Sequence, residues 1–155
     1  MNFEPRTENT WLKQLVGEWE FTASAPGCGD MPPGRETVRS LGGFWIVAEG
    51  TGEMPGGGTA TSLLTIGYDA RLGGFTGSWV GSMMPYMFVY EGTLDPAANA
   101  LTLDCEGPDF AEPSESASYR EIMTVIDENT RTFVSYMEAE DGTWTEIMTA
   151  RYRRV

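Results

Sequence analysis

From Gly17 to Arg154 the chain repeats one pattern, in which large apolar residues occupy alternate positions of short runs and each run ends in Gly, Pro, Asn or Asp. Trp19 and Phe21 alternate with Glu18, Glu20 and Thr22, and Leu64, Ile66 and Tyr68 alternate with Leu63, Thr65 and Gly67. A period of two puts one set of side chains on each face of a strand. The runs read as strands near residues 17–24, 35–41, 44–50, 61–69, 74–81, 86–94, 99–106, 117–127, 131–139 and 143–154. Short links at Gly42-Gly43, 71–73, 96–99 and Asp141-Gly142 make sequence neighbours antiparallel partners. An open sheet of ten strands would expose two long edges, and closing it removes both. The expected fold is therefore all-β, an up-and-down antiparallel β-barrel of about ten strands, formed by the 155 residues as one domain. A β-sandwich competes, but it needs more long crossovers than the Gly/Pro-rich breaks at 25–34, 52–58 and 107–116 supply. Ahead of the first strand, Trp11, Leu12, Leu15 and Val16 have helical spacing, so a helix is expected at about 8–16, capped by Asn9 or Thr10.

What the chain lacks narrows its chemistry. It contains no histidine, which removes Ser-His-Asp and Cys-His catalysis and every His-ligated metal or haem. No metal and no cofactor are expected. Cys28 and Cys105 fit neither a CxxC nor a zinc spacing and are expected as free thiols. Ten basic against 23 acidic residues give a net charge of −13, which argues against nucleic acid and anionic membrane surfaces as partners. The first twenty residues carry early acids and no signal-type apolar core, and no stretch reaches the ~18 apolar residues of a membrane helix. A cytoplasmic location is the expectation.

The segment Leu15-Val16-Gly17-Glu18-Trp19-Glu20 resembles the Gly-x-Trp opening of the lipocalin and calycin superfamily. With Leu41-Gly42-Gly43, Thr65-Ile66-Gly67-Tyr68-Asp69, Trp79 and Ser82-Met83, it resembles an uncharacterised bacterial family of lipocalin-like barrels, classed as a domain of unknown function, from about residue 8 to 154. The resemblance implies a barrel with a cavity and Trp19 at its closed end. It also implies an arginine of the last strand, Arg151 or Arg153, stacked over that indole, and it supplies no agreed reaction.

Alternation then proposes the cavity wall. Trp79, Met83, Tyr86 and Tyr90 are the candidate ligand contacts, Gly77 is expected to leave volume unfilled, and the segment Ala25 to Gly34 is expected as a flap at the mouth. Arg39, on one face with Arg35, Thr37 and Leu41, is the candidate polar anchor, with an outward surface pair as the alternative. Glu49, Glu91 and Glu121 lie within strands and are the candidate acid–base carboxylates. The leading expectation is binding of a small, largely apolar molecule in the barrel interior. Two alternatives stand beside it: a small isomerase or hydrolase using an inward carboxylate with Tyr or Arg, and a structural role in which the Met/aromatic surface is the seam of a homodimer.

Overall fold

The computed structural model describes residues 2–155. A helix, α1 (Thr7–Leu12), runs into a 3-10 turn at Lys13–Leu15, and eleven strands follow: β1 (Gly17–Ala25), β2 (Gly29–Asp30), β3 (Gly34–Leu41), β4 (Trp45–Glu53), β5 (Thr59–Asp69), β6 (Gly74–Gly81), β7 (Phe88–Asp95), β8 (Ala100–Pro108), β9 (Ser116–Asp127), β10 (Thr130–Glu138) and β11 (Trp144–Arg154). From β3 onward each strand pairs with its sequence neighbours, β3 pairs back to β1, and β1 also pairs with β11. That last ladder, Trp19↔Arg154 through Ser24↔Thr149, closes ten strands into an antiparallel barrel. The two-residue β2 folds back on the end of β1 at the rim, inside the expected flap.

The helix plugs one end. Leu12, Leu15 and Trp19 are each 1% exposed and join one core with Val38, Ile46, Ile66 and Leu101. The helix begins earlier than the sequence suggested, with Arg6 as its N-cap. Asn9 acts from inside the first turn: its Oδ1 accepts the Arg6 N–H at 2.8 Å, and its Nδ2 donates to the Phe44 carbonyl at 3.1 Å, tying the plug to the β3–β4 turn.

The Gly-x-Trp segment has a physical explanation at this end. Gly17 turns the chain from the 3-10 turn into β1 with φ +139°, a conformation L side chains rarely adopt, and a Cβ there would collide with the Arg154 guanidinium. Arg154 uses that space to donate to the carbonyls of Val16 at 2.7 Å, Gln14 at 3.0 Å and Glu128 at 2.8 Å, while stacking on the Trp19 ring at 4.2 Å. Trp19 in turn donates its indole N–H to the Leu15 carbonyl at 2.8 Å. The closing arginine is therefore Arg154. Arg151 and Arg153 sit on the opposite face of β11 and are exposed, Arg153 reaching only Glu20 at 3.5 Å.

Gly77 also differs from expectation. It faces inward, but the space its side chain would fill is taken by the Thr65 carbonyl oxygen and the Ile66 Cα of β5, so the glycine permits close backbone approach and does not leave a void. Gly67 is covered on its own face by the Trp45 ring of the adjacent strand.

Replacing Arg154 by Ala is expected to cost about 3 kcal/mol, because three charge-assisted hydrogen bonds and the indole stack go together. Arg154→Lys is expected to recover less than half, since an ammonium lacks the planar fork that reaches three carbonyls. Urea denaturation of the two variants measures both values.

Candidate functional site

The register fixes which residues enter the barrel. On β3 the inward set is Gly34, Glu36 and Val38, so Arg39 points to solvent and does not anchor anything inside. The strand has polar residues on both faces, and the buried Val38 decides the parity. The cationic group inside the barrel is Arg131 on β10, 2% exposed, ion-paired with Glu36 across the interior. Its guanidinium lies 3.8 Å from the Tyr152 ring centroid and 4.6 Å from that of Trp19. Arg131 thus rests on the plug and forms the floor of the interior. One donor on it, Nε, is buried without a partner.

Four residues further along β10, Ser135 donates its hydroxyl to Glu121 of β9. Glu121 is the one of the three candidate carboxylates that enters the barrel; Glu49 and Glu91 face outward and are exposed. Loss of hydration raises the Glu121 carboxyl from 4.5 to about 7, against a smaller lowering by the Ser135 hydrogen bond. The same desolvation, together with the nearby Glu121 charge, pushes the Cys105 thiol up to about 12 and holds the Tyr90 phenol far above its usual range. Cys105 is an inert thiol here, and Tyr90 remains an O–H donor at any ordinary pH.

Aromatic rings form the wall toward the open end. Trp79 meets Phe88 at 5.7 Å, and Phe88 meets Tyr119 edge-on at 6.0 Å. Tyr119 donates its hydroxyl to the Pro108 carbonyl at 2.6 Å. Tyr90 is inward on β7 opposite Gly77 and 2% exposed. Met83 and Tyr86, in contrast, lie outside the wall. Strand β7 begins at Phe88, two residues later than expected, and the connection through Pro85 leaves Met83 40% and Tyr86 43% exposed at the rim. Met84 is the methionine of that connection which packs against the core.

Several inward side chains, among them Phe21, Trp79, Glu121, Phe133 and Tyr152, are only half-buried. Trp79, Phe133 and Tyr152 pack against the buried core while keeping part of their surface uncovered.

The wall has one seam. Strands β7 and β8 pair only from Glu91↔Asp104 to Asp95↔Ala100, so residues 88–90 and 105–107 are not laddered to each other. The Phe88 ring fills the seam by lying against Gly107, where any Cβ would strike it. Along this seam runs an acidic groove of about 570 Å³, lined by Met87, Val89 and Trp144 and, from the inward face, by Cys105 and Tyr119; in it Arg120 pairs with Asp104 at 2.8 Å and stacks on Trp144 at 4.3 Å. Among the described residues no group of His, Cys, Asp or Glu is placed to hold a metal ion, and no helix is long and apolar enough to cross a membrane.

Residues 4–154 match the family described as protein of unknown function, DUF1579. The chain belongs to the DUF1579 family. No curated protein is matched by the sequence. Among solved structures, the DUF1579 barrel is similar to Rv2717c from M. tuberculosis, with a TM-score of 0.60 at 10% identity over 98% of this chain and 99% of that one. It is also similar to the redesigned β-barrel b11L5F_LGL (TM-score 0.51, 11% identity, 98% and 99% covered) and to EF1p2_mFAP2b bound to DFHBI (TM-score 0.50, 9% identity, 96% and 100% covered). At these identities the likeness is one of fold.

Glu36, Arg131 and Ser135 escaped the sequence reading, although each shares strand parity with an apolar residue: Glu36 with Val38, Arg131 and Ser135 with Phe133. A charged residue on the apolar parity of a barrel strand is the signal that finds them.

Two outcomes follow from this interior. Arg131→Met is expected to destabilise the barrel by about 3–5 kcal/mol, because Glu36 is left buried without its cation, and the double variant Glu36→Leu/Arg131→Met is expected to lose less than the single one. The raised Glu121 pKa means that the folded state binds the proton more tightly than the unfolded chain. Glu121's contribution to stability is therefore expected to be fully present below pH 4.5, to fall by about 2–3 kcal/mol as pH rises from 4.5 to about 7, and to be gone once pH has passed through that value. Chemical denaturation across that window should show the slope in the wild type and its absence in Glu121→Gln.

Proposed function

We propose that this barrel binds a small, largely apolar molecule through its open end. The observation that carries the reading is the incomplete cover of the inward aromatic and polar side chains, Trp79, Phe133, Tyr152 and Glu121, inside a wall that is otherwise closed. Pockets of this kind, mostly apolar with a few fixed polar groups, are the usual form of small-molecule sites. Trp79 and Tyr90 serve as wall, Met83 and Tyr86 as rim contacts, and the Arg131–Glu36 pair with Glu121 as the polar inner end. The fold is compatible with such binding, since EF1p2_mFAP2b, a barrel of similar fold, is a protein bound to a small molecule, DFHBI. Cys28 at the surface and Cys105 inside are both free, which fits the reducing cytoplasm as the place of action.

One observation favours a second reading, that of a proton-transfer enzyme. Burial raises the Glu121 carboxyl to about 7, and its charge reaches Tyr90, a phenol that stays protonated. A base and an oxyanion donor so placed suit removal of a proton next to a carbonyl, with the same carboxyl returning it. Catalysed deuterium uptake from heavy water into the methyl group of 2-acetylnaphthalene, lost in Glu121→Gln, is the expected signature of that activity; exchange at the uncatalysed rate rejects it.

Binding itself is tested with Nile red, a neutral apolar dye. Saturable one-to-one fluorescence enhancement is expected, weakened about tenfold or more by Ala117→Trp, which fills the inward face of β9 near the mouth. Equal binding by wild type and variant would place the dye on the outer wall and reject an interior site.

A further inference from the structure

The interior holds more hydrogen-bond donors than it satisfies. Each of its two carboxylates takes one hydrogen bond at one oxygen, Glu36 Oε1 from Arg131 and Glu121 Oε2 from Ser135. Two donors are unmet. Arg131 Nε is sealed, without a partner, in a guanidinium packed against the Tyr152 and Trp19 rings. The Tyr90 hydroxyl has no hydrogen-bond partner among the described residues, although the residue is only 2% exposed. It is not among the fully sealed unpartnered atoms, and Tyr90 lies on the inward face of β7. A buried polar group without a partner costs free energy that a complementary ligand atom recovers.

Charge narrows the choice further. The Arg131 cation is already balanced by Glu36, and the groups facing Glu121 are Tyr90 on β7, Cys105 on β8, Tyr119 on its own strand, Ser135 on β10 and Tyr152 on β11, with no free cation among them. An anionic ligand would enter a low-dielectric space that offers it no spare positive charge and one carboxyl group. A protonated amine meets the Glu121 carboxyl, which already takes the Ser135 hydroxyl, and elsewhere finds the donors at Tyr90 and at Arg131 Nε.

We infer that the inner end of the cavity selects neutral aromatic molecules carrying an acceptor oxygen, a ketone or aldehyde carbonyl above all, which the Tyr90 hydroxyl holds while the ring system lies among Trp79, Phe88 and Phe133. This deepens the binding reading and rests on it.

Four probes of nearly one shape separate the outcomes: 2-acetylnaphthalene, 2-ethylnaphthalene, 2-naphthoate and 2-naphthylmethylamine, each titrated against the full-length protein by displacement of Nile red. The acetyl compound is expected to bind about three- to tenfold more tightly than the ethyl compound, the gain of one net hydrogen bond. In Tyr90→Phe the ratio of the two affinities is expected to fall to about one, because the variant removes the one oxygen that the carbonyl is inferred to meet. Carbonyl-labelled 2-acetylnaphthalene gives a second readout, a downfield carbon-13 shift on binding to the wild type that Tyr90→Phe abolishes. Equal affinities of the acetyl and ethyl probes in the wild type overturn the inference and leave the cavity reading intact. Tightest binding by the naphthoate or by the amine overturns it by assigning the site to an ion. Failure of all four to displace the dye, together with dye binding that ignores Ala117→Trp, removes the cavity reading itself.

Discussion

The ladder between β1 and β11 is the contact on which the rest of the molecule depends, because it joins the first strand to the last and turns a meander into a ring. Its first pair, Trp19↔Arg154, is also where the plug is fastened. Arg154 reaches back to the carbonyls of Gln14 and Val16, so the helix, the first strand and the last strand meet at one guanidinium. Hydrogen bonds to a charged donor are among the stronger ones available to a protein, and here they satisfy carbonyls at a chain reversal that has no sheet partner. Gly17 makes room for that group, which explains why glycine stands two residues ahead of the tryptophan.

The interior divides into two regimes. Near the plug, Leu12, Leu15, Ile66, Leu101 and Met123 pack as an ordinary core. Directly on it sits a layer of charge, Arg131 between Trp19 and Tyr152 with Glu36 as counter-ion. Buried ion pairs seldom raise stability over a well-packed apolar alternative. This layer nevertheless organises the interior, since aromatic faces on both sides hold the guanidinium flat and its pairing with Glu36 joins β3 to β10 across the barrel. Glu121 and Tyr90 lie on the same inward face of the wall.

Much of the fold could be read from residue order alone. The alternation after Gly17 and the turn residues at Gly42-Gly43 and Asp141-Gly142 are local signals, and antiparallel neighbours are built from local signals. Trp19, Trp79, Tyr90 and Glu121 were legible because each lies in a strand whose apolar parity is plain. Arg39 was not, because β3 alternates Arg35, Thr37 and Arg39 with Glu36, Val38 and Ser40, and only the tertiary position of Val38 tells which set is inside. Arg154 was missed for a related reason: Arg151, Arg153 and Arg154 stand within four residues, and the selection among them is made by the pairing of Arg154 with Trp19. Tyr86 failed through a strand boundary, since Pro85 delays the onset of β7 until Phe88. Partnering across the barrel, as between Glu36 and Arg131, is set by closure and leaves no trace in sequence spacing.

A barrel closed by hydrogen bonds has a fixed circumference, and admitting a guest larger than its resting bore would ordinarily require breaking a ladder. The unladdered stretch between residues 88–90 and 105–107 releases this barrel from that condition at its open rim. There the ring is completed by the face of Phe88 against Gly107, a contact that rests on dispersion and carries no hydrogen bond. The circumference is thus set by hydrogen bonds around most of the wall and by the packing of one phenylalanine at this point of the rim.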